Sequence, residues 1–147
     1  MLMHRTLREM PGPHAEMTAV ATHWDPASQQ LRVTNCGGVS PIVLRGDQVV
    51  QRLPAPKGRG LGGRSSPKPT ERGISLQPGD RLVMVSDGVV GTGDGQGGLG
   101  VDGVIEAALR SEPAAAADTV RKVLTAVVKA SGGDLNDDAT TVCLSVS

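Results

Sequence analysis

The run Arg81-Leu82-Val83-Met84-Val85-Ser86 constrains this chain more than any other stretch. Four consecutive apolar residues leave it no polar face, so it belongs in the middle of a sheet, covered on both sides. Turn residues bracket it, Pro78-Gly79-Asp80 before and Asp87-Gly88 after. The chain has a single aromatic residue, Trp24, with no Phe and no Tyr, so the layers over that strand must be built from Val, Leu, Ile, Ala and Met. The same scarcity excludes stacking platforms for single-stranded nucleic acid and aromatic cages for cationic ligands. The 147 residues have room for one domain, 1–147, and a chain of that size buries roughly 70% of its unfolded surface.

Around the central strand the pattern predicts short antiparallel elements. Met3, Leu7 and Met10 fall at helical spacing, and Pro11-Gly12-Pro13 ends that helix. Thr18–Trp24, Leu31–Asn35, Pro41–Arg45 and Val49–Leu53 have strand character. Turns at Asp25-Pro26 and Gly46-Asp47 suggest that they follow one another as a meander. Pro54–Pro69 reads as a long exposed loop, and Ile74-Ser75-Leu76 as a weak strand. Six of the ten residues from Gly91 to Gly100 are glycine, which predicts a loop. A short helix follows at Val104–Leu109, then a long one at Ala114–Ala130 with a stripe of Val120, Val123, Leu124, Val127 and Val128, stopped by Gly132-Gly133. Thr140–Val146 closes the chain as a strand. Strands, then helices, then a strand predict an α+β fold with helices packed on antiparallel sheet.

Fifteen basic and fifteen acidic residues cancel, so no whole-protein field draws the chain to nucleic acid or membrane. The charges are segregated: Arg45–Arg72 holds seven basic residues, Asp80–Asp118 seven acidic ones. Cys36 and Cys143 fit no CxxC spacing and read as buried free thiols of a reducing compartment. The start has no continuous apolar segment and no run approaches a membrane span, so the expected location is the cytoplasm.

Two acidic positions stand out by their place on the strands. Asp87 directly follows the central strand, and Asp137-Asp138 directly precede the last one. If those strands pair antiparallel, both sites fall at one sheet edge. Carboxylates without His or Cys suit hard cations bound through oxygen, Mn²⁺ or Mg²⁺. Gly88 leaves room for a backbone carbonyl or a water to come close. The same residues are also ordinary turn formers, and position alone leaves both readings open. Other patterns fail. Gly93-Asp94-Gly95-Gln96-Gly97-Gly98 matches GxGxxG, but Asp94 would repel a pyrophosphate and no βαβ unit surrounds it. Asp134-x-Asn136-x-Asp138 starts like a calcium loop but has Ala139 where the turn needs Gly. His4, His14 and His23 have no metal spacing, and no serine sits in a GxSxG elbow. The basic segment Lys57–Arg72 is a solvated loop or, more sharply, a surface for an acidic or phosphorylated partner through Lys57, Arg59 and Arg64.

Three ordered motifs carry a resemblance. Asp25-Pro26 followed by Leu31-Arg32-Val33-Thr34-Asn35-Cys36-Gly37-Gly38-Val39-Ser40-Pro41-Ile42-Val43-Leu44 is similar to D-P-x-x-G-x-L-x-x-x-N-A-G-H-x-P-x-L-L. Leu76-Gln77-Pro78-Gly79-Asp80-Arg81-Leu82-Val83-Met84-Val85-Ser86-Asp87-Gly88-Val89 is similar to L-x-P-G-D-x-L-x-x-x-T-D-G-V, and Asp137-Asp138-Ala139-Thr140 to D-D-A-T. These are motifs of the metal-dependent protein phosphatases (PPM, type 2C), most like the bacterial SpoIIE/RsbU branch. Two departures stand in the sequence: Gly38 replaces the motif histidine, and the family's upstream G-D-V-x-G-H-G has no counterpart.

The resemblance implies a partial β-sandwich of the PPM type, with the family's N-terminal strands missing. It implies Asp87 and Asp137 as metal ligands, Gly88 and Asp138 beside the site, and Mn²⁺ or Mg²⁺ as cofactor. The complete family site holds two ions; one or none is the expectation for these residues. No catalytic side chain is implied beyond metal-activated water acting on phosphoserine or phosphothreonine. The implied substrate is a phosphorylated regulatory protein of the anti-sigma-factor-antagonist type, in bacterial stress signalling. The alternative is a catalytically incompetent phosphatase-like module that binds a regulatory partner. A dimer mate or a complementing N-terminal segment is expected to cover sheet edges left open.

Overall fold

A computed structural model describes residues 2–11, 16–54, 60–91, 98–135 and 137–147. In chain order the elements are α1 (Leu2–Glu9), β1 (Ala19–Asp25), β2 (Gln30–Cys36), β3 (Ile42–Arg45), β4 (Gln48–Arg52), β5 (Thr70–Ser75), β6 (Asp80–Val85), α2 (Asp87–Val90), α3 (Gly100–Leu109), α4 (Ala116–Ala130) and β7 (Thr141–Ser145). The fold is α+β, with two antiparallel sheets and helices. Contacts group into two units: Met1–Ser40 with Pro54–Leu76, and Pro41–Leu53 with Gln77–Ser147.

The first unit carries α1 and a three-stranded sheet ordered β1-β2-β5. Its first turn is built by Asp25, whose carboxylate accepts the Ala27 N–H at 3.0 Å and the Ser28 hydroxyl at 2.6 Å. In β2 the alternation is clean, with Leu31 and Val33 buried and Gln30 and Arg32 exposed, as a sheet packed on one face requires. The helix α1 buries only His4, whose Nδ1 accepts the Gly62 N–H at 3.0 Å.

The second unit holds a four-stranded sheet ordered β4-β3-β6-β7. The central position expected for the Arg81–Ser86 run is the one β6 occupies, between β3 and β7, with Asp80 through Val83 all buried. Ile42, Leu44 and Val83 from the sheet pack with Val104, Ile105, Ala107 and Ala108 from α3 and Val123 and Val127 from α4. Beneath these helices Arg81 is fully buried; its guanidinium donates to Thr119 Oγ1 at 2.9 Å, to the Gly46 carbonyl at 2.8 Å and to Ser111 Oγ. Neighbouring Asp80 is equally buried and accepts both Nε and Nη2 of Arg45, at 2.6 and 2.9 Å.

Three expectations are corrected. The first four strands are not one meander: β1 pairs with β2 and β3 with β4, but β2 then pairs with β5 and β3 with β6. Local turn signals identify hairpins and say nothing about the longer-range partner. In α4 the buried face is Thr119, Val123 and Val127, while Val128 is exposed; one residue further along the helix is about 100° around it, outside the stripe. Cys143 is only partly buried, whereas Cys36 is buried as expected.

Candidate metal centre

The site grows out of one strand register. In the β6–β7 pair Val85 lies opposite Thr141. The pairing runs on past both strands, because the Ser86 N–H donates to the Thr140 carbonyl at 2.9 Å. Two steps further the same register sets Gly88 against Asp138. There the backbones touch: a Cβ built on Gly88 would lie 2.5 Å from the Asp138 carbonyl oxygen and 3.0 Å from its carbon. Ordinary contact begins near 3.4 Å, so position 88 admits only glycine without a shift. Its φ is not among the positive ones; close approach, not backbone freedom, is the requirement.

This contact brings the segment carrying Asp137 and Asp138 onto the one-turn helix α2, which begins at Asp87. All three aspartates are exposed. Asp87 Oδ1 accepts the Gly88 N–H at 3.2 Å, and Asp137 Oδ1 accepts the Asp138 N–H at 2.8 Å. Among the described residues no Lys, Arg or His forms an ion pair with any of them.

Ser86 is the residue that sequence reasoning passed over. It occupies the N-cap of α2 but makes no side-chain cap to that helix. Its hydroxyl instead donates to the Asp138 carbonyl at 3.1 Å and accepts the Thr140 N–H at 2.9 Å. With its own N–H it ties the two acidic segments by three hydrogen bonds. Extending the β6–β7 register by one pair, Ser86 to Thr140, is the signal that would have found it.

The donor set is all oxygen, which fits a hard divalent cation and not a soft one. Among the described residues no group of three or more His, Cys, Asp or Glu side chains gathers to hold an ion. The carboxylates alone would therefore make at most part of a shell; Mg²⁺ sites commonly combine one or two carboxylates with several waters.

The other sequence candidates lie elsewhere. Lys57 and Arg59 fall outside the described residues; Arg64 is exposed in the first unit. Residues 92–97 of the glycine run, with Asn136 and His14, are likewise outside them. The described residues on either side of 92–97 meet: the Leu99 N–H donates to the Val89 carbonyl at 3.0 Å, and a Cβ on Gly98 would lie 2.2 Å from the Gly91 nitrogen. At the histidine-to-glycine departure, buried Asn35 closes the loop by accepting the Gly38 N–H at 2.9 Å and donating to its carbonyl at 3.0 Å. A Cβ on Gly38 would sit 2.8 Å from Val20 Cγ2, so a histidine there requires Val20 to move.

Comparison with known proteins bears on the fold and the family. The phosphatase domain of the cell-fate determinant SpoIIE from Bacillus subtilis, presoaked with Mn, superposes with a TM-score of 0.69 at 18% identity, over 88% of this chain and 56% of that one. The SiaA-PP2C domain of Pseudomonas aeruginosa gives 0.77 at 17% identity, over 98% of this chain and 58% of that one. The Mycobacterium tuberculosis serine/threonine phosphatase PstP/Ppp gives 0.70 at 16% identity, over 99% and 66%. The chain thus spans less than two thirds of each of these structures, whose fold it shares. No curated protein sequence matches it. The family model for Stage II sporulation protein E matches residues 2–147. With the motifs in order and the PPM phosphatase fold in place, the chain belongs to the SpoIIE family of PP2C-type domains.

Proposed function

We propose that this chain takes part in metal-dependent dephosphorylation of phosphoserine or phosphothreonine on a regulatory protein of the anti-sigma-factor-antagonist type. Asp87 and Asp137 are the carboxylate ligands of Mn²⁺ or Mg²⁺ in this reading, with Gly88 and Asp138 beside them. The observation that carries it is the seating of the 137–138 peptide on Gly88, which joins two exposed carboxylate segments, without an ion pair among the described residues, at one sheet end. Family membership supplies the reaction class, and the manganese used with the SpoIIE domain belongs to that relative.

When bound, such an ion polarises phosphoryl oxygen and lowers the pKa of water. The protein's own part is positional. In this reading Asp87 and Asp137 offer oxygen from two chain segments whose backbones meet at Gly88 and Asp138. Gly88 allows those segments to touch, and the Ser86 hydroxyl keeps them in register. No side-chain nucleophile is needed for attack by water. The cytoplasm is the compartment proposed; among the described residues no helix is long and apolar enough to cross a membrane.

Gly38, in place of the family histidine, favours a second reading: a module that binds its regulatory partner without turnover, through the basic segment of Lys57, Arg59 and Arg64. One experiment separates the two. Mn²⁺ binding, followed by electron paramagnetic resonance, and Mn²⁺-dependent phosphopeptide hydrolysis are measured for the wild type, Asp87→Asn and Asp137→Asn. The proposal expects wild-type binding and hydrolysis, with binding weakened about tenfold or more in each variant, as loss of one charged oxygen ligand implies. Equal Mn²⁺ binding by all three proteins would remove both carboxylates from the site. Binding that depends on both residues, without hydrolysis, favours the non-catalytic module.

A further inference from the structure

Asp87 stands on an element that cannot hold itself. The helix α2 is four residues long, Asp87–Val90, and a single helical turn has no stability of its own, because nucleation costs more than its few hydrogen bonds return. Two backbone bonds close it: the Val89 N–H donates to the Ser86 carbonyl at 3.1 Å, and the Gly91 N–H to the Asp87 carbonyl at 2.7 Å. The direction of the Asp87 carboxylate must therefore be set by whatever fixes this turn to the rest of the second unit.

Val89 is the buried residue of α2, at 0% exposure. It belongs to the cluster that holds Val83 of β6, Val104 and Ile105 of α3, and Val123 and Val127 of α4. Residues two apart on an α-helix lie about 200° apart around its axis. Seating Val89 in the cluster thus turns Asp87 to the opposite side, where it is exposed. The Val89 carbonyl is held as well, by the Leu99 N–H at 3.0 Å; Leu99 occupies the N-cap of α3 and packs on the same cluster. Gly88, between the two, carries the 137–138 peptide. The rotation that Val89 fixes therefore bears on both acidic segments.

We propose that Val89 is a positioning residue for the metal site: its burial against α3 and α4 fixes the rotation of α2, and with it the direction of the Asp87 carboxylate. The inference rests on the reading of Asp87 and Asp137 as metal ligands. Val89 supplies no ligand atom and acts through Asp87. Groups that orient a metal ligand typically contribute roughly 10–100-fold to metal affinity.

Mn²⁺ binding to the full chain, followed by electron paramagnetic resonance, is measured for the wild type, Asp87→Asn, Val89→Ala and Val123→Ala. Val123 is equally buried in the same cluster but lies in α4. Both alanine variants lose the same methyl groups from one core, and only one loses them from α2. Val89→Ala should weaken Mn²⁺ binding about tenfold or more, while Val123→Ala should keep the wild-type affinity. Equal weakening by both would overturn the proposal, because Val89 would then act through core stability alone. Wild-type affinity in Val89→Ala beside weakened binding in Asp87→Asn would also overturn it, and would leave the metal reading intact. Wild-type affinity in Asp87→Asn, or no Mn²⁺ binding by the wild type, refutes the metal reading itself and the positioning role with it. Should Val89→Ala fail to fold, amide hydrogen exchange of the metal-free wild type decides. A turn pinned by Val89 opens only when the core does, so the Gly91 and Leu99 amides should exchange within about tenfold of the Val123 and Val127 amides. Exchange about a hundredfold faster, or more, would show a turn that opens on its own and would overturn the proposal.

Discussion

Gly88→Ala gives the sharpest test of how the acidic segments are held together, because two opposing effects of known size meet at one atom. In open space the change would stabilise. Gly88 lies in α2 with no positive φ, and replacing a helical glycine by alanine gains roughly 0.5–1 kcal/mol through helix propensity and a less disordered unfolded chain. The structure denies that space. The new methyl would stand 2.5 Å from the Asp138 carbonyl oxygen, about 0.9 Å inside ordinary contact at 3.4 Å, and the obstacle is backbone. Overlap of this kind typically costs about 1–3 kcal/mol. Relief by retreat of the 137–138 peptide gives up the Ser86 hydroxyl contact at 3.1 Å, worth roughly another 1 kcal/mol. Sterics should therefore win, leaving the variant about 1–2 kcal/mol less stable. Urea denaturation reads this as a lower midpoint at unchanged slope, and Mn²⁺ binding should weaken as the two carboxylates part. Gly73→Ala is the control, since a Cβ there meets nothing within 4 Å. An alanine variant at 88 as stable as the wild type, binding Mn²⁺ equally well, would refute the close-contact reasoning.

Two further outcomes are expected. Ser86→Ala removes a hydroxyl bonded to both the Asp138 carbonyl and the Thr140 N–H. It should cost about 1 kcal/mol in urea denaturation, because both groups can turn to water, and should weaken Mn²⁺ binding; Ser86→Thr should recover both, and recovery of neither would show that the hydroxyl does not hold the segments. Asp80 supplies a pH test. Burial alone would raise its pKa, but the Arg45 guanidinium and the Gln77 N–H outweigh burial and hold it below the ordinary carboxylate value. A lowered folded-state pKa contributes stability above the unfolded value near pH 4, and that stability is lost as pH falls through the folded value. Thermal unfolding of the wild type should therefore steepen its decline below about pH 4, while Asp80→Asn should lose that part of the slope and be less stable by about 2 kcal/mol at neutral pH; identical acid profiles would contradict it.

Much of this fold was legible before any coordinates. An apolar run with no polar face could only be an interior strand, and β6 is one. The spacing of Val123 and Val127 marked the buried face of α4. Turn chemistry located both hairpins. Other features were not legible, because they depend on residues far apart in sequence. Nothing local to Gln30–Cys36 names β5 as its second partner. Arg81 looks like a strand residue that should reach solvent, yet it lies buried because Ser111, Thr119 and the Gly46 carbonyl come to it from elsewhere in the chain.

The division is sharpest at the site. By itself the sequence determined that carboxylates follow the central strand and precede the last, with a glycine next to the first of them. Residue type and alternation decide that much, since they are set by short-range sterics and by which faces must be dry. Only the tertiary structure decided that the β6–β7 register continues beyond the strands, so that Gly88 meets Asp138 and the Ser86 hydroxyl spans the gap. Register is a property of two segments together, fixed by the packing of both against a shared core. No single segment contains it.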